Sequence, residues 1–470
     1  MAVRFKSFDR SSPYLLPPSL QDWIPSEHIV HFIIDAVDLL AVEDFHVNHR
    51  GSGSEQFHPH MMCSLLIYCY ATGRFSSREI ESATYSDVAV RFIAANQHPD
   101  HDTICKFRRE NGQAFKAAFI RILELATELG HLKKLGGISI DGTKIKANAS
   151  KHSAVSYKKA QALIERLSGE VKQLMDKAEN ADSKPLEDGL SIPDEIARRN
   201  NRIEKLKEAL ETIKERHAEN LKVKQQEYKE KEQARAKLRE QGKKPKGPDP
   251  KPPSEIPEDK AQVNFTDEQS RIMKTSSSGF QQCYNAQAAV DTEGSMLILG
   301  GYVTNASNDK KELKPGLECV DPSIRTVSDL MADSGFFSES AVNSIQEDPL
   351  SNTEVYCAVG RTPHGRTVED LEQQEEPLLP DKNLSSTAQM KQKLNTKRGK
   401  ECYKLRKQTV EPVFGIQKSV LGFRQFSLRG LGKANLEWDL VSLAYNVKRL
   451  HKLTLSTAVP SFDKKFFIGA

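Results

Sequence analysis

Gly136-Gly137-Ile138-Ser139-Ile140-Asp141-Gly142 is a short apolar run that ends at a carboxylate, in a chain of 470 residues. β-branched residues after two glycines predict a buried strand, and Asp141 stands where that strand gives way to a turn. A strand that delivers one carboxylate in this way is typical of sites that hold a divalent cation. An Asp-Gly pair after a strand is more often only a turn, so this stretch does not decide the matter alone.

Two later segments repeat the arrangement. The extended run Thr326–Ala332 ends at Asp333, which is followed by serine and glycine, and a helix is expected to open at Ser338. The third acid is Glu411, which lies in a basic part of the chain. Because Pro412 follows it and proline is awkward inside a helix, we expect Glu411 near a helix start. Together these acids suggest a metal site that faces a polyanion.

Charge is distributed unevenly along the chain. The formal net charge is only +4, but residues 391–452 contain fifteen Lys and Arg against four Asp and Glu. Aromatic residues such as Tyr403 and Phe423 are interleaved with this block. Such a block is typical of a surface that binds phosphates, and the alternative is a solvated basic face.

Several classes of protein are disfavoured by the sequence. No apolar run approaches the roughly 20 residues that cross a bilayer, and the N-terminus lacks the apolar core of a signal peptide. The seven cysteines are scattered without a Cys-x-x-Cys pair, so a disulfide framework and a structural zinc are both unexpected. We therefore expect a cytoplasmic protein with no membrane partner.

Residues 1–125 are predicted to form an all-α domain. Short helices alternate with turn signals, and the helix capped by Asp102 or Thr103 carries Arg108 and Arg109. This spacing is compatible with a helix-turn-helix DNA reader, in which both arginines would contact DNA. An ordinary helical bundle whose arginines face water is the alternative.

Residues 153–259 differ sharply in composition from what precedes them. Apolar residues recur at steps of three and four from Ile164 to Leu174 and from Ile196 to Ile213, and most other positions are charged. This pattern predicts an antiparallel helical hairpin of coiled-coil type, followed by a proline-rich linker. The hairpin is either a solvated structural arm or a contact for DNA or a second subunit.

Strand signals resume after the linker. Residues 282–291 and 296–303 predict a β-hairpin, and residues 353–359 predict a further strand. With the strands that end at Asp141 and Asp333, these make an α/β fold with a mixed five-stranded sheet and flanking helices. This domain would comprise residues 126–152 and 260–455, with the helical hairpin inserted between the first two strands.

Several motifs in this chain resemble those of the DDE transposases of bacterial insertion sequences. In the catalytic part they are Ile140–Asn148, Tyr284–Asp291, Ala332–Phe336 and Val410–Gly415, and in the N-terminal part they are Asp22–Pro25, Ser76–Ile80 and Pro99–Ile104. The resemblance covers almost the whole chain except the helical arm. It implies an RNase H-like core preceded by a helical domain that binds the ends of the element.

The resemblance also implies a set of site residues. Asp141, Asp333 and Glu411 would form the catalytic and metal-binding triad, with Mg²⁺ as the cation and Mn²⁺ as a substitute. A Tyr-Arg-Glu-Lys signature of the family falls on Tyr403, Arg406, Glu411 and Lys418. The gap between Arg406 and Glu411 is one residue longer than in that signature, which makes Lys407 the alternative to Arg406. These cations and the tyrosine would contact DNA phosphates.

The function implied is DNA transposition by two-metal phosphoryl transfer. Water would cut at the ends of the insertion sequence, and the freed 3′-OH would then attack target DNA. The partners would be double-stranded DNA, both the terminal inverted repeats and the target, with a homodimer on the DNA at the nucleoid. The alternatives are a metal-dependent nuclease without strand transfer and a non-catalytic DNA-binding protein derived from a transposase.

Overall fold

The computed structural model describes residues 19–47, 55–180, 191–240, 242, 245, 248–275, 279–348, 352–360 and 384–456. The chain divides into two compact units. The first comprises Met1–Ile145, Asn285–Leu428 and Gly432–Ala470, and the second comprises Lys146–Tyr284 with Arg429–Leu431. None of the helices in the described ranges is long and apolar enough to cross a membrane.

Thirteen α-helices occur in the described ranges. They are α1 (Ile29–Val37), α2 (Pro59–Ala71), α3 (Ser77–Ser86), α4 (Val88–Ile93), α5 (His101–Glu110), α6 (Gly112–Glu128), α7 (Tyr157–Asn180), α8 (Ile192–Glu240), α9 (Leu313–Glu318), α10 (Glu339–Gln346), α11 (Ser386–Asn395), α12 (Lys397–Gly415) and α13 (Leu431–Ser456). The helices α1 to α6 occupy the segment for which the sequence predicts a helical domain. The side chain of Asp100 caps α5 by accepting a hydrogen bond from the Thr103 N–H at 2.6 Å.

The main sheet is mixed and contains six strands of the described ranges: β1 (Leu135–Lys146), β4 (Arg271–Thr275), β5 (Gly279–Asp291), β6 (Ile298–Thr304), β7 (Thr326–Ala332) and β8 (Glu354–Cys357). Their order in the sheet is β4-β5-β1-β7-β8, and β6 also pairs with β5. Strand β7 runs parallel to β1 and to β8, whereas β4 and β6 are antiparallel to β5. The prediction of five strands was wrong by one. The 13-residue β5 is long enough for its first residues to pair with β4 and its later ones with β6.

Helix α13 satisfies the backbone of β6 on the side away from β5. The Asn446 side chain bonds both backbone groups of Ile298, at 2.8 Å to N–H and 2.7 Å to C=O. Asn435 bonds both groups of Val303 in the same way, at 2.7 and 3.1 Å. Two amide side chains thus take the place of a further strand, and the backbone groups at this edge are not left unpaired.

Glu411 does not lie near a helix start, which corrects the sequence prediction. Helix α12 begins at Lys397, where Thr396 caps it, and it runs through Pro412 to Gly415 before a π-helical turn at Ile416–Val420. An internal proline removes one backbone hydrogen bond and costs about 3 kcal/mol. The helix persists because it buries an extensive face that includes Val410 and Val413.

The second unit contains the predicted helical hairpin. Helices α7 and α8 enclose a core that includes Leu167, Val171, Leu206 and Ile213, supported by the short antiparallel strands β2 (Ala154–Ser156) and β3 (Gln262–Asn264). The loop predicted between the helices lies largely outside the described residues. Helix α8 begins at Ile192, so Pro193 occupies its first turn, where a missing N–H has no cost.

Candidate active site

The first two predicted acids lie on neighbouring strands of the sheet. Asp141 is part of β1, and Asp333 follows β7 directly. The two strands are parallel neighbours, with Ser139 of β1 opposite Met331 of β7. Because each acid stands two residues beyond this pair, the two acids occupy matching positions of neighbouring strands. Only β7 ends there, since β1 continues past Asp141 to Lys146, and the turn predicted at Asp141 is not formed.

The third acid is connected to the first through an arginine. The Arg406 Nη2 is 2.9 Å from the Glu411 Oε1, and its Nη1 is 3.9 Å from the Asp141 Oδ2. The Arg406 side chain is only 11% exposed, whereas the Glu411 side chain is 47% exposed. The guanidinium is therefore largely desolvated and serves as the positive charge between two carboxylates.

Asp141 carries the clearest electrostatic signature of the site. Its pKa is raised to about 7, chiefly by burial and to a lesser extent by the negative charges of Asp333 and Asp309. A hydrogen bond from the Gly142 N–H and the charge of Arg406 act in the opposite direction. The raised pKa therefore reflects mainly the burial of this carboxylate, with a smaller contribution from the neighbouring acids.

These acids have the right chemistry for a hard divalent cation. Carboxylate oxygens are the side-chain ligands that Mg²⁺ and Mn²⁺ prefer, and a cation would relieve the repulsion recorded in the pKa of Asp141. Across the described residues, however, no three His, Cys, Asp or Glu side chains are gathered closely enough to hold a metal ion. The structure therefore brings Asp141 close to Asp333, and links Glu411 to Asp141 through Arg406.

The remaining residues of the predicted signature have different surroundings. The Tyr403 ring centre lies 5.8 Å from the Arg406 guanidinium carbon, and burial raises the pKa of the tyrosine. Lys407 is exposed on α12 and lies beside the buried Arg406. Lys418 lies in the π-helical turn, and its Nζ donates to the Lys144 carbonyl at 2.9 Å. Arg406 and not Lys407 therefore contacts the acids.

A polar cluster next to Asp141 was missed by sequence reasoning. The side-chain amides of Asn285 and Gln287 both donate to the Asp309 Oδ1 at 2.6 Å, and Lys144 lies 3.8 Å from the same oxygen. A Cβ at Gly142 would lie 2.5 Å from this oxygen, so the cluster packs closely against the backbone next to Asp141 and leaves no room for a side chain there. The sequence did contain a signal for this cluster. Asn285 and Gln287 are two residues apart in an otherwise apolar strand, so their side chains lie on the same face of the sheet and can bind one polar group together.

The two arginines predicted to bind DNA from α5 have opposite environments. Arg109 is exposed. Arg108 is buried, and its Nη1 donates to the Tyr70 hydroxyl at 2.8 Å and lies 3.9 Å from the fully buried Glu437 carboxylate. Burial alone would lower the pKa of Arg108, but Tyr70 and Glu437 raise it above its ordinary value. A side chain held in this way cannot reach a phosphate backbone, so the DNA-contact prediction was wrong for Arg108.

Two family models match the chain. Residues 373–451 match the model described as Transposase DDE domain, and residues 18–110 match the model described as Transposase domain (DUF772). The first match contains Arg406 and Glu411, and the second contains α1 to α5. No curated protein and no solved structure matches the chain.

Proposed function

We propose that this chain cuts DNA at the ends of its element and joins the freed 3′-OH to target DNA. The proposal proceeds from the two family matches, which indicate an insertion-sequence DDE transposase. The observation that carries the proposal is the convergence at Asp141. Asp333 is near enough to raise its pKa, and Arg406 joins it to Glu411. Two acids that are distant in sequence are thus each connected to Asp141, Asp333 by its charge and Glu411 through Arg406.

The proposed core is RNase H-like, with Asp141, Asp333 and Glu411 as the residues that would hold Mg²⁺ or Mn²⁺. In support, β1 is central in the sheet, the parallel β7 lies beside it, and their acids stand at matching positions of the two strands. When bound, the cations would activate the attacking oxygen and stabilise the leaving 3′ oxygen. Arg406 holds Glu411 towards Asp141 and limits the repulsion between their charges.

The proposed partners are the terminal inverted repeats and the target, with two copies of the chain acting on the two ends. The basic region around α12 supports contact with phosphates, since Lys407 is exposed there. Tyr403 and Lys418 stay in the proposed DNA-binding set because both are near the acids or the strand that carries them. Arg109 remains the proposed contact from the N-terminal helices, and Arg108 is removed from it.

A strand-transfer assay with Mg²⁺ and DNA carrying the element ends tests this function. Asp141→Asn, Asp333→Asn and Glu411→Gln should each lower cleavage at least about 1,000-fold while DNA binding persists. Matched controls are Asp329→Asn on β7 and Glu401→Gln on α12, which should cut at nearly the wild-type rate.

Other outcomes of the strand-transfer assay would indicate other functions for this chain. Cutting without joining by the wild type would indicate a nuclease, and binding without cutting would indicate a regulator derived from a transposase. If any one of the three acid variants cuts at nearly the wild-type rate, that acid is not part of the site.

A further inference from the structure

Helix α8 is much longer than the helix it packs against. It spans 49 residues, whereas α7 spans 24. Its buried residues are Ile203, Leu206, Ala209 and Ile213, all in its first half. Beyond them the returning chain contacts α8, where Asp249 pairs with Arg235 and Arg239. The core residues and these arginines lie on one side of the helix, because their spacings follow the helical period.

The opposite side of α8 carries a stripe of ten exposed polar residues at steps of three and four. We call it the α8 stripe, and in order it contains Glu204, Glu208, Glu211, Glu215, Glu219, Lys222, Gln226, Lys229, Gln233 and Lys237. Its first half is wholly acidic, and its second half contains only lysine and glutamine. From end to end it is about 50 Å long at 1.5 Å per residue.

The charges of the α8 stripe are not neutralised within the part of the chain that the structure describes. Glu219 and Lys222, which meet at its centre, form no ion pair or side-chain hydrogen bond there, and the same holds for its other Glu and Lys residues. Neighbouring glutamates at these spacings repel one another and destabilise an isolated helix. A partner with complementary charge would remove that repulsion.

The order of charges specifies the partner. If a second α8 lies antiparallel, with a two-fold axis between Asn220 and Leu221, four of the five glutamates of one stripe lie opposite a lysine or glutamine of the other. The pairs are Glu204 with Lys237, Glu208 with Gln233, Glu215 with Gln226, and Glu219 with Lys222. Glu211 lies opposite Glu230, with Lys229 of the stripe one residue away. A two-fold axis repeats each pair, as an interface between identical copies requires.

We propose that the α8 stripe is a self-complementary surface by which two copies of this chain associate through antiparallel α8 helices. Duplex DNA is a poorer fit, because the five glutamates would repel phosphates along half of the stripe. The proposal goes beyond the proposed function and does not depend on its cleavage chemistry. The contact consists of exposed Glu–Lys ion pairs and Glu–Gln hydrogen bonds, and the ion pairs weaken as salt shortens the range of the charges.

A charge exchange tests the proposal on the full-length protein. Lys222→Glu/Lys229→Glu places four like-charged contacts in a homodimer, and Glu211→Lys/Glu219→Lys does the same with positive charge. Each double variant alone should raise the dimer Kd at least about tenfold in sedimentation velocity at low salt. An equimolar mixture of the two should restore association, because the mixed pair has all four contacts attractive again.

The matched control changes lysines two positions further along, on the opposite side of α8. Lys224→Glu/Lys231→Glu introduces the same charge change and should leave the dimer Kd within about twofold of the wild type. Two outcomes would overturn the proposal: failure of the mixture to associate, and a wild type that stays monomeric with and without duplex DNA.

Parallel measurements keep the two proposals separate. If Lys222→Glu/Lys229→Glu leaves the dimer intact but lowers duplex affinity, the basic half of the stripe contacts DNA and the self-association proposal is wrong. Circular dichroism verifies that each variant keeps its helix. Cleavage of DNA with a single element end is measured alongside, and its absence from every variant including the wild type would concern only the proposed function.

Discussion

Arg108 and Arg109 are adjacent in sequence, and the structure predicts that their replacement has opposite consequences. The matched variants are Arg108→Gln and Arg109→Gln. Arg108 donates to the Tyr70 hydroxyl at 2.8 Å and to the Phe75 carbonyl at 3.0 Å, and it is the cation nearest the buried Glu437. Arg109 is exposed.

The expected magnitude follows from what Arg108→Gln leaves behind. Removing one partner of a buried ion pair costs about 3–5 kcal/mol, because the other charge stays buried without compensation. The Glu437 Oε2 keeps two backbone donors, the N–H groups of Ser427 and Leu428 at 2.8 and 3.0 Å, so we expect the lower end of this range. With a urea m-value of about 3 kcal/mol/M, the unfolding midpoint falls by about 1 M.

Urea unfolding and duplex DNA binding, measured on both variants, provide the assay. The free energy of unfolding of Arg109→Gln should stay within about 0.5 kcal/mol of the wild-type value. In DNA binding, the slope of log Kobs against log salt concentration should become shallower by about 0.9, the value for one lost phosphate contact. The double variant Arg108→Gln/Glu437→Gln should lose less stability than the sum of its single changes. If Arg108→Gln unfolds like the wild type but binds DNA more weakly, the structural role given to Arg108 is refuted.

Three further predictions concern the site and the core. Gly142→Ala places a methyl group 2.4 Å from the side-chain amide nitrogen of Gln287, so it should lower the free energy of unfolding by about 1–3 kcal/mol and also lower cleavage. The control in the same urea unfolding assay is Gly169→Ala, whose methyl group has no atom within 4 Å. Arg406→Gln should lower cleavage about 100-fold, whereas Lys407→Gln, which removes one exposed phosphate contact, should lower it less than about tenfold. The reverse order in single-turnover rates would place the role of the signature arginine at Lys407. Burial raises the pKa of Asp439 to about 7, although a nearby lysine lowers it. Folding therefore takes up a proton between about pH 4 and pH 7, so this residue makes stability fall as the pH rises through that window, by up to about 4 kcal/mol. Asp439→Asn should make the difference in stability between pH 5 and pH 8 smaller than in the wild type, with the contribution of Asp141 remaining, and an unchanged difference would contradict the assignment.

The sequence by itself determined the features that depend on local patterns. The strands that carry or precede Asp141 and Asp333 were predicted because β-branched runs are local signals. The turn predicted at Asp141 was wrong, because β1 continues through Asp141 and Gly142 to Lys146. The helical hairpin was predicted because apolar residues repeat with the helical period, and its heptads need only α7 and α8 to form a core. Both kinds of pattern can be read from the sequence without knowing which distant segments pack together.

The tertiary structure decided the features that depend on which distant residues meet. The burial of Arg108 depends on Glu437, which lies more than 300 positions away, and the place of Glu411 inside α12 depends on what that helix buries. The contacts of Arg406 with two acids, and the Asn285–Gln287–Asp309 cluster, likewise join separate strands, loops and helices. A charged residue looks the same in sequence whether it faces water or a buried partner, because its environment is supplied by packing.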